Sequence, residues 1–278
     1  MSYPTILVHV DLSVHAPARM RYAAALAHAH GAHLVGAAMF GIAHDVFPHG
    51  CDIEPGTLAA GVFQPLADNA RRALSRFESI ARDMHVPHAS HFVCDQADQG
   101  LALLARFADL VVVSQDDPNE SLPEMATRLP EFLILNCARP VLVLPYTDPA
   151  PYHNPRVLVA WDGSKEASSA MRASIPLLRR TSTVTVAILT GPGLSAEDFH
   201  AQQPELLRFL ARHHVTPRIL VREAQHDSGQ QLLALANELG CGLLVMGCYG
   251  HSRFRELCLG GASRTVLAES DIPLLLAH

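Results

Sequence analysis

TILVHVDLS (residues 5–13) and RVLVAWDGS (residues 156–164) share one pattern: a short β-branched run ending in an acid, then a turn of small residues. Asp11 thus corresponds to Asp162. The correspondence continues in the same order. ADLVVVS (108–114) matches CGLLVMG (241–247), and ARPVLVLPY (138–146) matches DIPLLLAH (271–278), which aligns Pro140 with Pro273. A fixed order of matching segments is the mark of a tandem duplication. The first copy is longer, because FGIAHDVFPHGCDIEPG (40–56) has no counterpart and reads as an inserted loop. Between the copies lies PYTDPAPYHNP (145–155), whose four prolines in eleven residues resist both helix and central strand.

These boundaries predict a domain over 1–146, a proline-rich linker over 147–155 and a second domain over 156–278. In the first half the patterning predicts strands near 5–10, 32–39, 88–94, 109–114 and 140–145. Helices are expected near 15–30, 57–85, 97–107 and 122–136. In the second half strands are expected near 156–161, 183–189, 216–222, 242–247 and 272–277, with helices near 165–180, 201–214, 227–239 and 261–269. Runs such as LVVV and LLVM suit parallel strands covered on both faces. Alternating strands and helices joined by short loops predict an α/β fold of two doubly wound, Rossmann-like domains. Such sheets bind ligands at the carboxyl ends of their strands.

At that edge of the second half lies MGCYGHSRFRELCLGGASRTVL (246–267). Its glycines allow a ligand to approach the backbone closely. Gly260 and Gly261 precede a helix start, where unpaired N–H groups and a partial positive charge favour an anion. Ser252, Ser263 and Arg253 add side-chain donors. The stretch is neither GxxxxGK[ST] nor the GxGxxG fingerprint that follows a first strand. It reads G-x2-G-x9-G through Gly247, Gly250 and Gly260.

That spacing after the fourth strand, with Asp162 closing the first, resembles the universal stress protein family, and over the whole chain the resemblance is to two consecutive domains. It implies five-stranded parallel sheets in the order 3-2-1-4-5 and an adenine-nucleotide site. ATP or a related nucleotide, with Mg2+ as a possible companion, would meet Asp162 near its adenosine moiety. Its phosphates would meet Gly247, Gly250 and Gly260 and the backbone of His251, Ser252 and Arg253. The sequence departs from the family at one point: Gly261 stands where Ser or Thr usually follows the last glycine, with Ser263 two residues on. The first half departs altogether. After its fourth strand it reads SQDDPNESLPEMATRLPEF, with no glycine between Gly100 and Pro145. Asp116, Asp117 and Glu120 place negative charge there, so the first half is expected to be a non-binding partner domain.

The residues leave other readings open. Asp162 reads equally as a turn residue that caps the following helix, either through its own side chain or through Ser164. The insertion gathers His44, Asp45, His49, Cys51 and Asp52 at spacings that match no standard zinc pattern. Cys248 within the glycine stretch is either a redox-sensing thiol or a small residue filling a loop. The six cysteines form no CxxC and no ladder, which favours free thiols. A net charge of −6 argues against a surface that coats nucleic acid. No signal-peptide pattern or long uncharged apolar run is read, so a cytoplasmic, membrane-free protein is expected. No nucleophile–base pair or HExxH motif suggests a dedicated enzyme, and slow hydrolysis of bound nucleotide is the one activity left open. The short apolar segments 141–145 and 274–278 would form sheet edges. They are expected to pair with one another or in a homodimer. A stress-linked regulator acting on an unidentified protein partner is the leading expectation. A nucleotide-free interaction module and a metal or redox sensor are its rivals.

Overall fold

The computed structural model describes residues 2–41, 58–117, 119, 128–147, 149, 151–153, 155–191, 195–250 and 261–278. The chain divides into two compact units, Ser2–Tyr152 and His153–His278.

In the first unit β1 (Thr5–His9), β2 (His33–Met39), β3 (His88–Val93), β4 (Leu110–Ser114) and β5 (Val141–Leu144) alternate with helices. The helices are α1 (Ala16–His30), α2 (Leu58–Asp83), α3 (Ala97–Leu104) and α4 (Leu129–Asn136). Its strand order is β3-β2-β1-β4-β5, and every pair is parallel. Ile6, Leu7, Val8 and Leu110 to Val113 are almost wholly buried, as central strands covered on both faces require.

The second unit has β6 (Val157–Ala160), β7 (Val184–Thr190), β8 (Arg218–Glu223), β9 (Leu243–Gly247) and β10 (Leu274–Ala277). Its helices are α5 (Lys165–Leu178), α6 (Ala196–Arg212), α7 (Ser228–Glu238) and α8 (Ala262–Glu269). The order β8-β7-β6-β9-β10 repeats that of the first unit, again wholly parallel. The duplication read from the sequence is thus a duplication of topology. In each unit strand one lies between strands two and four, so its carboxyl end faces the gap where the order reverses.

Two expectations need correction. The helix expected near 201–214 begins at Ala196. Ser195 caps it by accepting from Asp198 N at 3.0 Å, while its own hydroxyl donates to Asp198 Oδ2 at 2.6 Å. S-x-x-D is close in form to a capping box and marks the helix start ahead of the expected one, and Pro204 lies inside the helix. The cysteines are not all free: Cys94, just past β3, is disulfide-bonded, and its partner lies outside the described residues. Pairing depends on two Cα atoms approaching within about 7 Å in the fold, which linear spacing does not report. Cys137, Cys241 and Cys248 are not disulfide-bonded, and all are buried. Among the described residues no helix is long and apolar enough to cross a membrane.

Candidate functional site

The second unit holds a cleft of about 230 Å³ at the carboxyl ends of its strands. One wall is β6 running into α5. Asp162 Oδ1 accepts the Ser164 backbone N–H at 2.9 Å, which folds the DGS turn with Gly163 at φ +79°. Ser164 then caps α5 by accepting from Ala167 N at 3.1 Å. Of the two capping readings, Ser164 performs the cap and Asp162 shapes the turn before it. The Asp162 carboxyl is exposed and lines the cleft.

Ala160, Ala187 and Leu189 form an apolar recess beside Asp162, together with the single tryptophan, Trp161. Opposite lie Gly247 and Gly250, leaving β9, and Ala262 and Ser263, opening α8. The two glycines do not serve positive φ; among the described residues the positive-φ glycines are Gly31, Gly163 and Gly240. They serve close approach. A Cβ on Gly247 would stand 2.3 Å from Glu166 C and 2.4 Å from Ala167 N, and one on Gly250 would stand 2.5 Å from Glu166 Oε2. The left-handed residue in this turn is Tyr249, at φ +61°. A non-glycine residue held there marks a backbone fixed by its surroundings. Tyr249 N donates to Ser263 Oγ at 3.4 Å, tying the loop to the start of α8.

The start of α8 differs from its neighbours. Ser164, Ser195 and Asp227 cap α5, α6 and α7 with side-chain oxygens. Gly261, at the N-cap of α8, makes no side-chain cap, and the first turn of that helix has no acid. The Arg264 N–H bonds to Gly261 O at 2.9 Å, so among the described residues it is the Ala262 and Ser263 N–H groups that are left without a side-chain cap. The helix is held in place from α7. Thr265 Oγ1 donates to Asp227 Oδ2 at 3.2 Å, and Gly229 packs so closely that a Cβ would come within 2.7 Å of Thr265 Cβ.

Of the residues singled out in the sequence, Asp162, Gly247, Gly250 and Ser263 line this one cleft, and Gly261 caps the helix that closes it. His251, Ser252, Arg253 and Gly260 lie outside the described residues. So do Glu120 and the insertion residues His44, Asp45, His49, Cys51 and Asp52. Cys248 is 1% exposed, where a thiol is shielded from oxidants and serves as packing. Among the described residues no three His, Cys, Asp or Glu side chains gather as a metal site.

The sequence reading missed Glu166. It is buried, though it sits in the first turn of α5, where a carboxylate usually faces water and the helix dipole. A signal was present: 166, 167, 170, 171 and 174 fall on one stripe, and the residues there are otherwise Ala, Met and Ser.

The equivalent place in the first unit is filled by the protein itself. Arg19 is 3% exposed. Its Nε donates to His9 O at 2.9 Å and its Nη1 to Ser114 Oγ at 2.8 Å. Its Nη2 stands 3.0 Å from Asp11 Oδ1, an ion pair out of line for a hydrogen bond. Asp11 also accepts from Ser13 N at 2.9 Å and Ser13 Oγ at 2.6 Å. Burial pushes the Asp11 carboxyl up, but His9, Arg19 and Ser13 outweigh it and hold the group well below the usual carboxylate range. Burial takes His9 down to about 4, against the opposing pull of Asp11. His15 Nε2 lies 2.9 Å from Asp117 Oδ2. By the register that pairs Asp11 with Asp162, Arg19 stands where the second unit has Ala170, and Ser114 ends the strand that ends in Gly247 there. The strand-ending acid of the first unit is committed to an internal ion pair.

The comparisons follow this asymmetry. Residues 153–278 match the model of the universal stress protein family. No curated protein sequence shows a significant match. Among solved structures, a universal stress protein from Archaeoglobus fulgidus superposes with a TM-score of 0.74 at 13% identity, covering 98% of this chain and 95% of that one. A functionally unknown protein from Pseudomonas aeruginosa superposes with a TM-score of 0.61 at 16% identity, covering 99% and 92%. At such identities the likeness is one of fold, and it extends over both units. Residues 153–278 thus carry the match to the universal stress protein family, and the chain as a whole shares the fold of a solved universal stress protein, with two units of one topology.

Proposed function

We propose that the second unit binds ATP or a related adenine nucleotide, with Mg2+ as a companion ion, and that occupancy regulates an interaction with a protein partner under stress. The supporting observation is convergence within one cleft. An apolar recess, the Asp162 carboxyl, two glycines that admit close approach and a helix start without a side-chain cap meet at the switch point of a doubly wound sheet. The recess of Ala160, Ala187 and Leu189 suits a flat base. Asp162 suits a ribose hydroxyl, and the start of α8 suits phosphate. The Ser263 hydroxyl accepts from Tyr249 and still has its own hydrogen to donate. The first unit, with Arg19 in the corresponding place, acts as a partner domain without a nucleotide of its own.

The test is mass spectrometry of small molecules released from denatured, freshly purified protein, followed by calorimetric titration of Mg·ATP. One site per chain is expected. Asp162→Ala should weaken binding and Asp11→Ala should leave it nearly unchanged. Two equivalent sites, or binding that disappears with Asp11→Ala, would refute the assignment. No binding to folded, ligand-free protein would leave the interaction-module reading in its place.

A further inference from the structure

Glu166 puts a buried negative charge inside the cleft assigned to a polyphosphate. The side chain is 3% exposed. Among the described residues its Oε1 accepts no hydrogen bond. Its one ion pair there is with Lys165 Nζ at 3.2 Å, on a side chain 85% exposed and largely given over to water. Oε2 stands 2.5 Å from the point a Gly250 Cβ would occupy, so the carboxylate lies directly against the second glycine of the loop. Glu166, Asp162, Gly247, Gly250 and Ser263 line the same cleft.

A carboxylate with one oxygen taken out of water and given no hydrogen bond is costly to keep, and it repels a neighbouring phosphate. A divalent cation between the two removes both penalties. Magnesium is commonly held by one or two carboxylates together with substrate phosphates, and seldom by an all-protein cage. That chemistry fits a cleft with one buried and one exposed carboxylate, and it fits the lack of any larger acidic or histidine cluster among the described residues. The first unit has His15 at the position equivalent to Glu166, and its ring pairs with Asp117.

We propose that Glu166 is a protein ligand for a divalent cation that enters with the nucleotide, so that this site takes the metal–nucleotide complex and rejects the metal-free form. The inference rests on the nucleotide reading above. Its test is calorimetric titration of ATP, in Mg2+ and in EDTA, into the intact chain and its Glu166→Gln variant. Thermal melts establish that both are folded, and electron paramagnetic resonance of Mn·ATP reports on the metal. In the unaltered protein, removing the metal should weaken binding at least tenfold, and Mn·ATP should give a protein-bound signal. In Glu166→Gln the two forms of ATP should bind within about threefold of each other, through a gain for the free form and a loss for the complex. Equal binding of both forms by the unaltered protein overturns the inference and leaves the nucleotide site standing. The same metal dependence in Glu166→Gln also overturns it. Binding by Glu166→Gln alone, with none to the unaltered protein in either form, shows that Glu166 excludes nucleotide and likewise overturns it. Failure of both folded proteins to bind either form removes the nucleotide reading, and this inference with it.

Discussion

Gly247→Ala is the most direct probe of how the cleft is built. A single methyl group added there meets backbone on the opposite side: Glu166 C at 2.3 Å, Ala167 N at 2.4 Å and Glu166 Cβ at 2.7 Å. Ordinary contact begins near 3.4 Å, so the start of α5 must retreat from the end of β9 by about 1 Å. Neither side yields easily. Met246 and Ala167 are buried, and the first turn of α5 is pinned by the Ser164 cap. Overpacking of this kind costs about 1–3 kcal/mol, and a clash with backbone belongs at the upper end. A loss of about 3 kcal/mol lowers the folded-to-unfolded ratio of this unit by more than a hundredfold. Urea unfolding followed by fluorescence of Trp161, the single tryptophan and a lining residue of the cleft, reads the effect in the unit concerned. Gly240→Ala is the matched control. Its φ is +60° and its nearest neighbour is Arg156 Nη1 at 4.0 Å, so it carries only the left-handed backbone penalty of about 1–2 kcal/mol. If Gly247→Ala unfolds within about 0.5 kcal/mol of the unaltered chain, the close-approach account of this glycine is wrong.

Other outcomes follow from the same geometry. Arg19→Met leaves Asp11 without its guanidinium partner and should destabilise the first unit by about 3 kcal/mol, read as a lower denaturation midpoint. An unchanged midpoint would show that the ion pair is dispensable. His9 takes a proton at about 4 in the folded chain against 6.5 in the unfolded one. Between those values the unfolded chain holds the extra proton, and stability therefore falls as pH falls from 6.5 to about 4. The loss amounts to about 3 kcal/mol at most. The depressed Asp11 carboxyl keeps its contribution above the ordinary carboxylate range and loses it only below, outside most of this window. Urea midpoints of the unaltered chain should drop across that range and those of His9→Asn should drop less; parallel curves would count against a neutral buried His9. Asp162→Ala should reduce the affinity for Mg·ATP about tenfold with only a small fall in melting temperature, since what it loses in the DGS turn is an exposed hydrogen bond from Ser164 N, worth about 1 kcal/mol. A large fall in melting temperature would assign Asp162 to structure instead.

Much of the architecture is legible in the chain because it depends on local pattern. The repeated strand-plus-acid segments at 5–13 and 156–164, and apolar runs such as Leu110 to Val113, specify buried parallel strands wherever they fall in space. The glycine spacing through Gly247 and Gly250 is legible for a similar reason: small residues at a strand's carboxyl end have few uses other than a turn or a close approach. The start of α6 is present in the sequence as Ser195 with Asp198 three residues on, an N-cap signal that the helix expected from 201 leaves out.

Only the tertiary structure decided what depends on distances between separated segments. Asp11 and Asp162 end nearly identical strands, yet one is locked by Arg19 and the other lines a cleft. That difference turns on whether residue eight of the following turn and helix is Arg19 or Ala170, and on which side chain of the fourth strand it meets. Glu166 carries the same chemistry as any first-turn carboxylate, and only the tertiary packing against Gly250 makes it a buried group lining the cleft. Cys94 looks like the other cysteines until the fold brings a second one within bonding reach. Patterning along the chain fixes which faces are buried; electrostatic and covalent partners are chosen by through-space distance, which a linear spacing does not carry.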